Sequence, residues 1–235
     1  MDARGPTIMT PGALYRLLAW LSPSYPIGAF SYSHGLETAI EAGLVRDREQ
    51  LIAWIAGVLD HGTGRVDGAL FAAAWRAAQA GNDVALDAVA DLAAAWRGTA
   101  EMALEQRQQG ASFLSITRTA WPDGRLDAFA ARRDGQCALP VAVAIAAAWQ
   151  DITLEDALTG YLHAFAANLC SAAVRAIPLG QSDGQRALAA LAAPVERAVA
   201  AALAVESLND VGTAAPLLDW CSMQHETQYT RLFRS

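Results

Sequence analysis

The chain is 235 residues long, 54% hydrophobic and 17% charged, which is ample apolar material for a sizeable core, and its formal net charge is -7. That balance gives no electrostatic footprint for nucleic acid, and the pair Arg132-Arg133 is too short to reverse it locally. All 17 basic residues are Arg, so the Lys of a P-loop and the amine of a Schiff-base enzyme are both missing, which excludes a standard NTPase and a pyridoxal-phosphate enzyme.

The opening "MDARGPTIMTPG" lacks the apolar stretch of a signal peptide, and residues 1–10 are expected to be disordered. Apolar residues then recur at helical spacing almost throughout. The pattern predicts helices over Gly12–Leu21, Ser31–Gly43, Asp47–His61, Asp67–Ala80, Val84–Arg97 and Ala100–Thr117. After a "WPDG" turn it predicts Leu126–Arg133, Pro140–Asp151, Leu154–Ile177, Gly184–Ser207 and Pro216–Tyr229. Asp47 with Gln50, Thr153 with Asp156 and Ser182 with Gln185 read as helix N-caps, and Pro178 with Gly180 as a stop. No linker rich in Ser, Gly or Pro divides the chain and no period repeats, so the expectation is all-α: one globular domain, 1–235, of about ten helices. The longest apolar run, Ala138–Trp149, is too short to cross a bilayer, and a cytosolic location without membrane contact is expected.

The helix over Leu154–Ile177 is apolar on two faces, Leu158, Leu162, Phe165 and Leu169 on one and Ala167, Cys170 and Val174 on the other, and is therefore expected to be central. His163 and Cys170 lie two turns apart, too far to share a metal ion, and read as a core histidine and a packed thiol. Cys137, Cys170 and Cys221 are odd in number and widely spaced, so buried reduced thiols are expected.

The stretch "SPSYPIGAFSYSHGLETAIEAG", Ser22–Gly43, is strongly punctuated: Pro23 and Pro26 force an extended entry and Gly28 permits a tight bend. On the helix predicted to follow, His34, Glu37 and Glu41 share a face and offer acid, base or metal-ligand chemistry. With nothing nearby to complete a site, they read as a solvated face opposite Leu36, Ala39 and Ile40. Ser31 and Ser33 are not in a G-x-S-x-G elbow, which disfavours a serine hydrolase. Glu101, Glu105 and Arg107 read as exposed helix charges, and Gly110 inside the same pattern marks a close helix contact.

The ending "CSMQHETQYTRLFRS" begins like a helical zinc-protease signature, but Tyr229 stands where the second His should, so the zinc reading fails. The final residues concentrate Tyr229, Arg231, Phe233 and Arg234, types that dominate binding hot spots. Two readings stay open: a tail that docks on its own bundle, and one that orders on a partner.

"LSPSYPIGAFSYSHGLETAIEAG", "YLHAFAANLCSAAVRAIPLGQSDGQ" and "HETQYTRLFRS", in this order, resemble the urease accessory protein UreF family over about Leu14–Ser235. The resemblance is weakest over Val66–Arg97 and Trp121–Gln136, and His34 departs from the family's usual glutamine. It implies an all-α protein that is not an enzyme and holds no cofactor of its own: a nickel-insertion chaperone that dimerises and bridges a UreD-type (UreH-type) protein to the UreG-type GTPase during maturation of the urease apoprotein, nickel being handled by the assembled complex. The expected partner-binding set is Tyr25, Tyr32, His34 and Glu37 in the loop element and His225, Gln228, Tyr229, Arg231, Leu232, Phe233, Arg234 and Ser235 in the tail, with residues 228–235 facing the UreD-type partner. A GTPase-activating Arg is implied without being identified. The alternative is a small helical nickel carrier or enzyme using His34, Glu37, Glu41 or His225.

Overall fold

A computed structural model describes residues 9–235, and among them the secondary structure is helix without strand. The expectation of disorder for the first residues lies outside this range except at its edge, where the Thr10 hydroxyl caps the first helix by accepting from the Ala13 N–H. The helices are α1 (Pro11–Trp20), α2 (Leu36–Glu41), α3 (Arg48–His61), α4 (Thr63–Gln79), α5 (Asp83–Ala95) and α6 (Ala100–Ala120). They continue with α7 (Gly124–Arg132), α8 (Leu139–Trp149), α9 (Leu154–Ala176), α10 (Gln181–Ala190), α11 (Ala192–Leu203) and α12 (Pro216–His225). Two short 3₁₀ turns, Ala29–Ser31 and Leu208–Asp210, complete the set.

The expected caps hold where a side chain meets a free helical amide. Asp47 accepts from the Gln50 N–H at 2.8 Å, and Thr153 accepts from the Asp156 N–H at 3.2 Å. Ser182 does not cap, because α10 already starts at Gln181 behind Gly180. The helix predicted over Gly184–Ser207 is two helices. Pro194 has no N–H and its ring opposes the Ala190 carbonyl, so α10 ends at Ala190 and α11 begins beyond Leu191.

The helix predicted over Ser31–Gly43 shrinks to α2, because His34 (φ 58°) and Gly35 (φ 75°) are both left-handed and no right-handed helix passes through them. Gly35 is required for a second reason: a Cβ there would lie 3.2 Å from the Ser222 backbone nitrogen of α12. The last helix ends at His225 rather than Tyr229.

The most fully buried helix is α8, where every residue from Leu139 to Ala148 is in the core, packed mainly on α4 and α6. Its alanines let neighbouring backbones approach closely. At Gly110 of α6 an added Cβ would overlap the Cys137 carbonyl oxygen and sit 2.8 Å from Leu139 N, so the close contact expected there is present. The helix expected to be central, α9, packs against α2, α3, α4, α8, α10 and α11 but keeps an exposed stripe through Glu155, Thr159, His163, Ser171 and Arg175. His163 is thus a surface residue, not the core histidine expected, whereas Cys170 is buried. By length and apolarity α9 is the one described helix that matches a membrane span, yet half of its apolar window is buried in the bundle.

All three cysteines are free and buried, as expected. Burial pushes the Cys137 thiol up to about 12 and those of Cys170 and Cys221 up to about 11. One buried ion pair ties α4, α6 and α9 to the segment between α5 and α6: Asp67 accepts from Arg97 at 2.7 Å, from Gln106 at 3.0 Å and from the Tyr161 hydroxyl at 2.7 Å. Burial, then the adjacent Asp67 charge, pushes the Tyr161 hydroxyl well above the usual phenol range.

Candidate functional site

The punctuated loop and the C-terminal segment come together. After α1, Pro23 and Pro26 carry the chain outward, Gly28 turns it at φ 76°, and the 3₁₀ turn delivers an extended Tyr32. The tail leaves α12 at His225 and returns alongside this loop. The Arg234 N–H donates to the Ser31 carbonyl at 2.8 Å, and the Ser33 N–H to the Ser235 carbonyl at 2.7 Å. The Ser33 hydroxyl also donates to that Ser235 oxygen.

Three buried carboxylates hold the assembly. Glu37 accepts from the backbone N–H groups of Leu232 at 2.7 Å and Phe233 at 3.0 Å. Glu105 accepts from the Ser235 hydroxyl at 2.8 Å and from Gln109 at 3.1 Å, and faces His34 Nδ1 at 3.2 Å. Glu101 accepts from Arg231 at 3.0 Å. Burial, partly offset by His225 and Arg231, holds the Glu101 carboxyl above the usual carboxylate range. Glu101 and Glu105 are therefore not the exposed charges read from helical spacing, since the tail and α12 cover that face of α6.

The two histidines are structural ties. His34, with its ring edge-on to Phe165 at 5.2 Å, links Glu105 to the Thr63 hydroxyl, which lies 2.8 Å from Nε2. A neutral ring satisfies both contacts, donating from Nδ1 and accepting at Nε2. His225 has no exposed surface and stands between Glu101, 2.8 Å from Nδ1, and Glu37, 3.1 Å from Nε2. An imidazole that donates through both nitrogens is an imidazolium, so this arrangement holds either a buried positive charge or a protonated carboxyl. Glu41, at the end of α2, is exposed and apart from the cluster. Among the described residues no group of three or more His, Cys, Asp or Glu side chains is disposed to hold a metal ion.

The expected site residues divide by burial. Tyr25, Tyr32, His34, Glu37, His225, Phe233 and Ser235 are buried, so they support the loop and tail rather than present surface. In particular, His34 and Glu37 are not on the solvated face read from their spacing. Tyr25 packs on Phe113 and Trp121 and shares a hydrogen bond with the Thr117 hydroxyl at 2.8 Å, and the Tyr32 hydroxyl donates to Gln108. Gln228 accepts from the Thr38 hydroxyl at 2.8 Å, which fixes the turn after α12. Phe233 is covered by the Arg175 guanidinium, 4.5 Å from the ring centroid. Of the two readings of the tail, docking on its own bundle is what these contacts show.

The same docking turns other side chains outward. Tyr229 is fully exposed and Leu232 is 67% exposed, while Arg231 and Arg234 lie at the surface. On α12, Leu217, Trp220 and Met223 recur at helical spacing and are each about half exposed, a set that residue spacing alone does not distinguish from packing positions.

A family model described as UreF matches residues 45–192. A urease accessory protein UreF from Granulibacter bethesdensis is 56% identical over 236 aligned residues, covering 100% of both chains. One from Rhodopseudomonas palustris strain BisA53 is 49% identical, covering 95% of this chain and 93% of the relative, and one from a Methylobacterium species is 50% identical, covering 93% and 87%. With the family model matched over more than half of its length and relatives similar from end to end, the chain belongs to the UreF family of urease accessory proteins.

Proposed function

We propose that this protein works without turnover, as a docking component in maturation of the nickel centre of urease in the cytoplasm, joining a UreD-type (UreH-type) protein to the UreG-type GTPase as a homodimer. The observation that carries the reading is the mounted tail. Buried Glu37, Glu101 and Glu105 spend their hydrogen-bonding capacity on holding the last residues, and the result is an ordered segment with Tyr229 and Leu232 directed to solvent. Exposed aromatic and aliphatic anchors on a preordered backbone bind without the ordering cost that a loose terminus would incur.

The carrier or enzyme alternative draws less support. His34 and His225 each have both ring nitrogens within hydrogen-bonding distance of a partner inside the protein, and Glu41 stands alone at the surface. In the proposed role nickel is cargo that passes through the assembled complex, and activation of the GTPase falls to an Arg of this chain or to its effect on the GTPase's own groups.

The test is reconstitution from purified parts. The UreD-type protein and the GTPase are expected to co-elute only when this chain is added, and urease apoprotein to gain activity with nickel only then. Co-elution of the two partners in its absence removes the bridging role. Turnover of GTP by the isolated chain would move the protein among enzymes.

A further inference from the structure

Beside the tail lies an open cleft of about 510 Å³ between the Pro26–Tyr32 loop, the middle of α6 and Gln136 ahead of α8. Its polar lining includes Ser31, Tyr32, Arg107, Gln108, Gln136 and Arg234, and it has no Asp or Glu. Elsewhere in the molecule several exposed arginines are matched by carboxylates: Arg118 pairs with Asp127, Arg132 with Asp83 and Asp87, Arg133 with Asp91, and Arg197 with Asp60. Others, such as Arg65, Arg76 and Arg175, bond backbone carbonyls instead, whereas Arg107 and Arg234, which share one cleft, have no ion pair among the described residues. Glu105, which precedes the lining residues Arg107 and Gln108 in α6, is buried and already receives His34, Ser235 and Gln109. In a chain of net charge -7, two guanidinium groups on one concave surface whose lining has no Asp or Glu form a local reversal of sign.

The donors are also oriented. The Tyr32 hydroxyl donates to the Gln108 side-chain oxygen, which leaves the Gln108 amide NH₂ as a donor at the cleft. Pro26, Ile27 and Ala111 place apolar surface between these polar groups. Gly28 leaves open space where a side chain would stand, so the rim is clear. A small anion would use the two arginines and leave the apolar surface wet. An extended segment with carboxylate side chains uses both.

We infer that this cleft is a second docking site, separate from the outward face of Tyr229 and Leu232, and that it takes a carboxylate-bearing peptide segment of a partner protein between Arg107 and Arg234. The inference rests on the docking reading of this protein in that Arg234 belongs to the mounted tail.

The test uses the full chain and acetylated, amidated hexaglutamate as probe, followed through the side-chain Nε–H signals of Arg107 and Arg234 by NMR. Saturable binding is expected, weakening as salt rises and reduced by about tenfold or more in R107E and R234A, with Y229A unaffected. R107E sits on an exposed helix position and should melt like the parent, and R107Q serves as a milder variant. Binding that ignores R107E overturns the inference while leaving the Tyr229 docking face standing. Inorganic phosphate that saturates the same two signals as tightly as the peptide also overturns it, as a simple anion site. Loss of peptide binding in Y229A would mean that there is one site, not two.

Discussion

The Glu37 carboxylate of α2 accepts the backbone N–H of Phe233 at 3.0 Å while the same oxygen faces His225 Nε2 at 3.1 Å. One buried group therefore fixes both the end of α12 and the segment that follows it. Hydrogen bonds to a buried charge are each worth about 1.5–3 kcal/mol, so Glu37→Ala is expected to cost about 3 kcal/mol in chemical denaturation and to speed hydrogen exchange at the Leu232 and Phe233 amides. An unchanged denaturation midpoint with protected amides would show that the tail is held some other way.

Removing residues 228–235 strips Phe233 from the core and leaves Glu37 and Glu105 short of donors. Burial of a Phe side chain contributes about 2–3 kcal/mol, and a stranded buried carboxylate adds to the loss, so the truncated chain should melt several degrees lower. Tyr229→Ala, at a fully exposed position, should shift stability by no more than about 0.5 kcal/mol. Calorimetry of the two variants side by side checks the contrast, and equal melting temperatures would contradict the docked tail.

The thiols give a pH dependence. Cys137, pushed up to about 12, and Cys170 and Cys221, pushed up to about 11, stay protonated in the fold after they ionise in the unfolded chain, whose ordinary value is 9.0. Their folded values are raised, so their contribution is fully present below pH 9.0 and is lost as pH rises through about 11 to 12. A tenfold difference in an ionisation constant between folded and unfolded chain corresponds to about 1.4 kcal/mol. Denaturation midpoints are expected to fall steeply across that window, less so in Cys137→Ala. Thiol-specific alkylation at neutral pH should be slow until the protein unfolds.

Gly110→Ala tests the packing of α6 on the chain entering α8. The added carbon meets backbone atoms at Cys137, Ala138 and Leu139, which have no rotamer through which to yield. A loss of about 3 kcal/mol or more is expected, and a neutral substitution would show that the two elements are not in contact.

Much of the helical architecture is legible from spacing and capping residues: α3 starts at the Asp47 cap and α9 at the Thr153 cap, as the pattern predicts. The loop at Ser31–Gly35 is not legible, because helical periodicity continues through His34 and Gly35, which are left-handed in the structure, and the close approach of α12 to Gly35 is a long-range contact. Likewise, the spacing of Glu101 and Glu105 says which face of α6 they share but not that a tail more than a hundred residues later covers it. Chemistry-bearing residues can be named from the sequence, whereas their burial, and hence the division between supports such as His34 and outward groups such as Tyr229, depends on long-range contacts. Pro194, which cannot donate to the Ala190 carbonyl, is a break signal that the sequence carries between α10 and α11 and that the single helix predicted over Gly184–Ser207 passes over.

The most direct test of the proposed role is the affinity of the Tyr229→Ala, Leu232→Ala double variant for the UreD-type partner, measured together with its melting temperature. Both side chains are turned to solvent and neither supports the buried carboxylate cluster. The predicted result is an unchanged melting temperature, affinity lowered by about a hundredfold, as for the loss of two interface anchors, and loss of urease activation in the reconstituted system. Parental affinity from a variant that is folded and monodisperse would contradict the docking function assigned to the tail.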